Sequence, residues 1–156
     1  MKFMSAANLV FVDTNVFLYS IAPDEAVKYA LARQWLASLW DSASGRVSWQ
    51  VINEFYSNAV KKARVPRIQA RASADELVLW MPVDMSRGLV ERAWHWEDKA
   101  HLSWWDALII AAAERAECRW LLTEDLQHGQ RFGSVHVVSP FRAKPEDLQL
   151  SAVRPN

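Results

Sequence analysis

The sequence has a single cysteine, Cys118, so one copy of the chain can form neither a disulfide framework nor a cysteine zinc site. Its 4 glycines supply no phosphate-cradling loop and no dinucleotide fingerprint. Charge of one sign is also missing. The 18 Lys and Arg cancel the 18 Asp and Glu, which excludes a polybasic arm that binds nucleic acid by bulk charge. A local basic surface remains compatible with that balance. Long hydrophobic runs are absent; Leu9–Val12 and Ala107–Ala113 fall far short of a membrane span. Met1–Val12 lacks the extended apolar stretch and small-residue cleavage site of a secretory leader. Together these absences predict a protein of the reducing cytoplasm.

What is present is an ordinary globular mixture, 51% hydrophobic and 23% charged over 156 residues. That length predicts one domain with a core of its own. Asn8–Val12 reads as a buried strand, with Asp13-Thr14-Asn15 and a short helix after it. Asp24–Trp40 carries a helical apolar stripe. Arg46–Ser48 reads as a short strand, Trp49–Ala63 as a helix, and Pro66 as the first residue of a helix running to about Trp80. Met81–Val83 is a further candidate strand, limited by Pro82 to an edge or a strand start. Ser86 caps a helix reaching about Asp98, and Ser103–Glu117 is the strongest helical segment in the chain. Arg119–Leu122 and Ser134–Val138 read as strands. Strands alternating with helices predict an α/β fold with a mostly parallel sheet of four or five strands. Residues 1–139 form the predicted domain, and residues 140–156 an irregular tail.

Ligands of open α/β sheets bind beyond the carboxyl ends of the strands. Asp13 follows the first strand there, and Thr123-Glu124-Asp125 follows Trp120–Leu122. Asp13 is also a natural helix cap. Asp106 lies in an otherwise apolar helix, where a carboxylate must be paired, hydrogen-bonded or metal-bound. It also stands three residues after Ser103, the spacing of a capping box. Glu54 lies beside the apolar face of its helix, although a solvated helix glutamate reads the same way. As a set, Asp13, Glu54, Asp106 and Asp125 repel one another unless cations neutralise them. Oxygen ligands with water select hard ions, Mg²⁺ or Mn²⁺, which activate water and stabilise charge developing on a phosphate.

Four segments carry a family resemblance. They are Phe11-Val12-Asp13-Thr14-Asn15-Val16-Phe17, Asn53-Glu54-Phe55, Ser103-Trp104-Trp105-Asp106-Ala107-Leu108-Ile109, and Leu122-Thr123-Glu124-Asp125-Leu126-Gln127-His128-Gly129. They resemble the motifs of PIN domains, and within these the VapC-type toxins of bacterial toxin–antitoxin pairs, over about Asn8 to Ser139. The resemblance implies a three-layer α/β/α fold and a metal-dependent ribonuclease; single-stranded RNA is the expected substrate, since its backbone can enter a narrow acidic pocket and its bases are open to reading. It also implies a homodimer held in check by a small VapB-type antitoxin. Asn15, Ser103 and Thr123 are then the polar residues supporting the acids. Glu124 and Asp125 are adjacent, and the Thr-x-Asp pattern favours Asp125.

Two other readings compete. A haloacid-dehalogenase-like phosphatase also places Asp after its first strand but wants Asp-x-Asp, where this chain has Asn15. A non-catalytic PIN-like binding module would be expected to have lost acids, and all four are present. Lys61, Lys62, Arg64, Arg67 and Arg71 make a basic stretch suited to RNA phosphates or simply to water. The 9 tryptophans read chiefly as core or subunit contacts, with base stacking open to one or two. His95 and His101 lack a zinc constellation, and His128 reads as an ordinary loop residue.

Overall fold

The computed structural model describes residues 8–150. Strands β1 (Val10–Val12), β2 (Gly45–Arg46), β3 (Trp120–Leu122), β4 (Arg131–Phe132) and β5 (Val135–Val138) form one sheet in the order β2-β1-β3-β5-β4. Pairings β1–β2, β1–β3 and β3–β5 are parallel, and only β4–β5 is antiparallel. All of Val10, Phe11 and Val12 are fully buried. Successive strand residues face opposite sides, so both faces of the sheet are covered. The covering layers are the helices α1 (Thr14–Tyr19), α2 (Ala26–Asp41), α3 (Trp49–Lys61), α4 (Arg67–Leu77), α5 (Arg87–Ala100) and α6 (Trp104–Arg115). The result is the expected three-layer α/β fold. No described helix is long and apolar enough to cross a membrane.

Local chemistry sets most boundaries. Ser48, Ser86 and Ser103 cap α3, α5 and α6, their hydroxyls accepting from the amides of Val51, Leu89 and Asp106 at 3.3, 3.2 and 3.2 Å. The apolar run of α6 is buried from Ala107 to Ala113, which makes it the central helix of its layer. Pro66 caps α4 rather than opening it, and α4 ends in a 3-10 turn at Val78–Trp80.

Three details differ from the sequence reading. Met81–Val83 is not a strand, because Met81 takes a left-handed φ of 55° and Pro82 has no amide to donate. Only a single parallel bridge, Ser48 with Val83, survives there. The two-residue strand β4 went unread; it pairs with β5 through a turn in which Gly133 takes a φ of 59°. Beyond Ser139 the chain is not wholly irregular. Pro145–Leu148 forms a 3-10 helix with Leu148 buried, and the indole of Trp35 donates to the Pro140 carbonyl at 2.9 Å.

Gly45 is required by close approach. A Cβ placed on it would lie 2.0 Å from the Trp80 ring, which also meets Phe17 edge-on at 5.6 Å. Gly45→Ala is therefore expected to lower stability by about 1–3 kcal/mol through overpacking. Urea unfolding of the two proteins measures it, and an unchanged midpoint would show that Trp80 moves aside freely.

Candidate active site

The chain leaves β1 towards β2 on one side and leaves β3 towards β5 on the other, so the switch point of the sheet lies between β1 and β3. Asp13 and Thr123 are the first residues past those two strands. Their backbones prolong the ladder, Asp13 N–H donating to Leu122 at 3.0 Å and Thr123 N–H to Val138 at 3.0 Å. The two side chains are thereby held face to face.

Asp13 is buried, and both its oxygens are engaged. One accepts from the Thr14 amide at 2.8 Å, capping α1, and the other accepts from the Thr123 hydroxyl at 2.8 Å. The same hydroxyl accepts from Asn15 Nδ2 at 3.2 Å and from the Asp125 amide at 3.1 Å. Cap and candidate ligand are therefore compatible roles for Asp13. Burial raises its carboxyl pKa to about 7, opposed by the Thr123 and Thr14 hydrogen bonds and assisted by the charges of Asp125 and Glu54.

Glu54 reaches in from α3. Its carboxylate accepts from the Thr14 hydroxyl at 2.8 Å and from Gln50 Nε2 at 3.0 Å. Gln50, one helical turn earlier, also reaches the Trp105 carbonyl at 3.4 Å and so joins α3 to α6. Asp106 stands half-buried in the first turn of α6. Burial raises its pKa, the Ser103 hydroxyl lowers it, and the charges of Asp125 and Glu54 raise it further. Asp125 is exposed, and its charge is felt by both Asp13 and Asp106. Glu124 is committed elsewhere, accepting from Tyr19 and pairing with Lys28 at 3.0 Å. His128 accepts the Ser139 amide on Nδ1 at 3.0 Å.

The four predicted acids thus share one electrostatic neighbourhood at the carboxyl edge of the sheet. Among the described residues no three Asp, Glu, His or Cys side chains are drawn together as a ready-made metal cage. Two observations suit a hard cation there. The available donors are oxygens, and Asn15 Oδ1 is buried without a hydrogen-bond partner. Thr14 and Gln50 were missed from sequence. A helix pairing of Gln50 with Glu54 at four-residue spacing was the one signal that could have found Gln50.

The PIN domain family profile matches residues 10–131. The chain belongs to the PIN domain family. All four acids of this PIN domain, and Asn15, Ser103 and Thr123, fall inside the matched span. A solved structure described as a toxin–antitoxin complex from Klebsiella pneumoniae has a similar fold, with a TM-score of 0.64 and 20% sequence identity. The similarity covers 86% of this chain and 99% of that one. No curated protein matches the sequence.

Two outcomes follow for the metal-free protein. A carboxyl whose folded-state pKa is near 7 holds its proton more tightly than in the unfolded chain, where it is about 3.9. That stabilising contribution is complete below pH of about 4 and is lost as pH rises through about 7. Unfolding midpoints in EDTA should fall across that window, and Asp13→Asn should flatten the slope; parallel profiles would mean that Asp13 does not titrate there. Thr123→Val should cost about 2–3 kcal/mol, because it strips partners from Asp13, Asn15 and the Asp125 amide in a buried place. Thr123→Ser should recover most of that loss in the same urea titration.

Proposed function

We propose that this PIN domain is a divalent-metal-dependent endonuclease of single-stranded RNA, acting as the toxin of a VapBC-type pair in the cytoplasm. The observation that carries the proposal is the hydrogen-bonded junction of Asp13 with Thr123, beside Asn15 and within the charge field of Glu54 and Asp125, the same two acids that act on Asp106. Mg²⁺ or Mn²⁺ would be held by Asp13, Glu54, Asp106 and Asp125. When bound, such an ion neutralises the acids, lowers the pKa of water and offsets charge on phosphate oxygens.

The chain's own residues do the rest. Thr123 and the Thr14 amide fix both oxygens of Asp13, so its lone pairs are aimed before any ligand arrives. Thr14 and Gln50 do the same for Glu54. Tyr19 and Lys28 draw Glu124 away, which leaves Asp125 as the acid at the exposed rim. Exposed Lys61, Lys62 and Arg64, at the end of the helix that carries Glu54, attract the phosphates of a strand approaching along α3. His136 lies at the amino end of β3 and β5, and His128 has its Nδ1 occupied. Hydrolysis by water therefore fits the site better than a histidine-run attack by the ribose 2′-hydroxyl, and the products should carry 5′-phosphate and 3′-hydroxyl ends.

The proposed assembly is a homodimer inhibited by a small VapB-type antitoxin. The stretch from Asp24 to Trp80 presents Val27, Trp40, Ile68 and Leu79 to solvent, which supports a partner on that side.

The test uses purified protein, end-labelled RNA and Mg²⁺ or Mn²⁺ against EDTA. Cleavage should need the metal, and Asp106→Asn should cut the rate by a hundredfold or more while leaving the melting curve intact. Cleavage persisting in EDTA, 2′,3′-cyclic phosphate ends, or wild-type rates from Asp106→Asn would overturn the reading.

A further inference from the structure

Beside the acids lies a second, chemically different feature. A cleft of about 470 Å³ opens between α3, the residues before α5, and α6. Trp49, Met85 and Trp105 supply its apolar surface, and Trp105 is 61% exposed. A tryptophan so exposed contributes little to its own fold, while its flat face stays available to a ligand. The cleft's polar groups come from α3, where Gln50, Asn53 and Ser57 recur at helical spacing beside Trp49. Asn53 donates to the Trp49 carbonyl at 2.8 Å, which leaves its Oδ1 without a protein partner. Glu54 itself lines the cleft.

We infer that this cleft is the subsite for one unpaired base next to the scissile phosphate, with Trp105 as the stacking platform and Asn53 Oδ1 and the Ser57 hydroxyl reading the base edge. The inference rests on the nuclease reading and extends it to how the substrate is gripped. Three observations favour a base over a protein side chain. Glu54 borders both the cleft and the acid set, so a strand placed for cutting must pass here. Gln50 joins the two, its amide lying 3.0 Å from Glu54 and 3.4 Å from the Trp105 carbonyl. Finally, an exposed flat apolar ring in one cleft with the Asn53 Oδ1 and the Ser57 hydroxyl matches a nucleobase, which offers a π-face and a polar edge together. A base within a duplex has both features occupied, so the cleft also selects for single strands.

The experiment measures binding of a short single-stranded RNA of mixed sequence, and of the same strand in duplex, by full-length protein carrying Asp106→Asn, in Mg²⁺. Adding Trp105→Ala should weaken single-strand binding by about tenfold to a hundredfold, the range of one lost base stack. Trp105→Phe should restore most of it, and duplex binding should barely change. If Trp105→Ala binds the single strand as well as its parent, while the wild-type protein cuts RNA, the subsite is overturned and the nuclease stands. Equal loss on single strand and duplex would overturn it too. So would a dimer-to-monomer shift in sedimentation with RNA affinity unaltered, which would give the cleft to a second copy of the chain. A wild-type protein that neither binds nor cuts RNA would bring down the nuclease reading and the subsite with it.

Discussion

A hydroxyl has one proton to give and two lone pairs to offer, and the Thr123 hydroxyl uses all three. It donates to Asp13 and accepts from Asn15 and from the Asp125 amide, in a position without solvent exposure. The Asp13 side of the site depends on that saturation. Asp13 can remain buried because the bond compensates part of its lost hydration. Asn15 is turned so that its Nδ2 is occupied and its Oδ1 left over. The loop carrying Asp125 starts from the same atom. The hydroxyl can do this only because β1 and β3 are parallel neighbours that end at the same level, Val12 opposite Leu122.

The four acids occupy a gradient of exposure. Asp13 is buried, Glu54 and Asp106 are half-buried, and Asp125 is exposed. Desolvation is greatest where water is scarcest, which is why burial raises the pKa of Asp13 and Asp106, with the charges of Asp125 and Glu54 adding to it. The fold tolerates this through neighbours on separate elements: Thr14 on α1, Gln50 on α3 and Ser103 ahead of α6. Such a site stores unfavourable electrostatics that a cation bound only to the folded state would relieve.

What could be read from the sequence was local. Ser86 and Ser103 were legible as caps because a cap and its partner amide lie within three residues of each other. Asp13 and Thr123 were legible because acids and hydroxyls directly after apolar strands stand at the carboxyl edge whatever the later topology. The partners of Glu124 were not legible, because Tyr19 and Lys28 lie far away in sequence. Thr14 was invisible as a partner of Glu54, because nothing in a sequence says which helix faces which strand end, whereas Gln50 stands one turn before Glu54 on the same helix. The small strand β4 was lost for a different reason: two residues carry no period, and the turn at Gly133 is a single glycine. Met81–Val83 misled because β-forming composition says nothing about the left-handed residue that breaks it.

The span of the Asp13–Thr123 bond has a bearing on synthesis. The partners are 110 residues apart, and Asp13 leaves the ribosome long before its partner is made. A nascent chain that ends at Cys118 already contains Asp13, Glu54 and Asp106, yet it has no β3 against which β1 can be aligned. Parallel pairing with that strand is non-local and cannot be anticipated by a hairpin. The Asp13–Thr123 bond therefore forms only after β3 has emerged. A growing chain that has not yet reached β3 carries Asp13, Glu54 and Asp106 without the hydroxyl that holds Asp13.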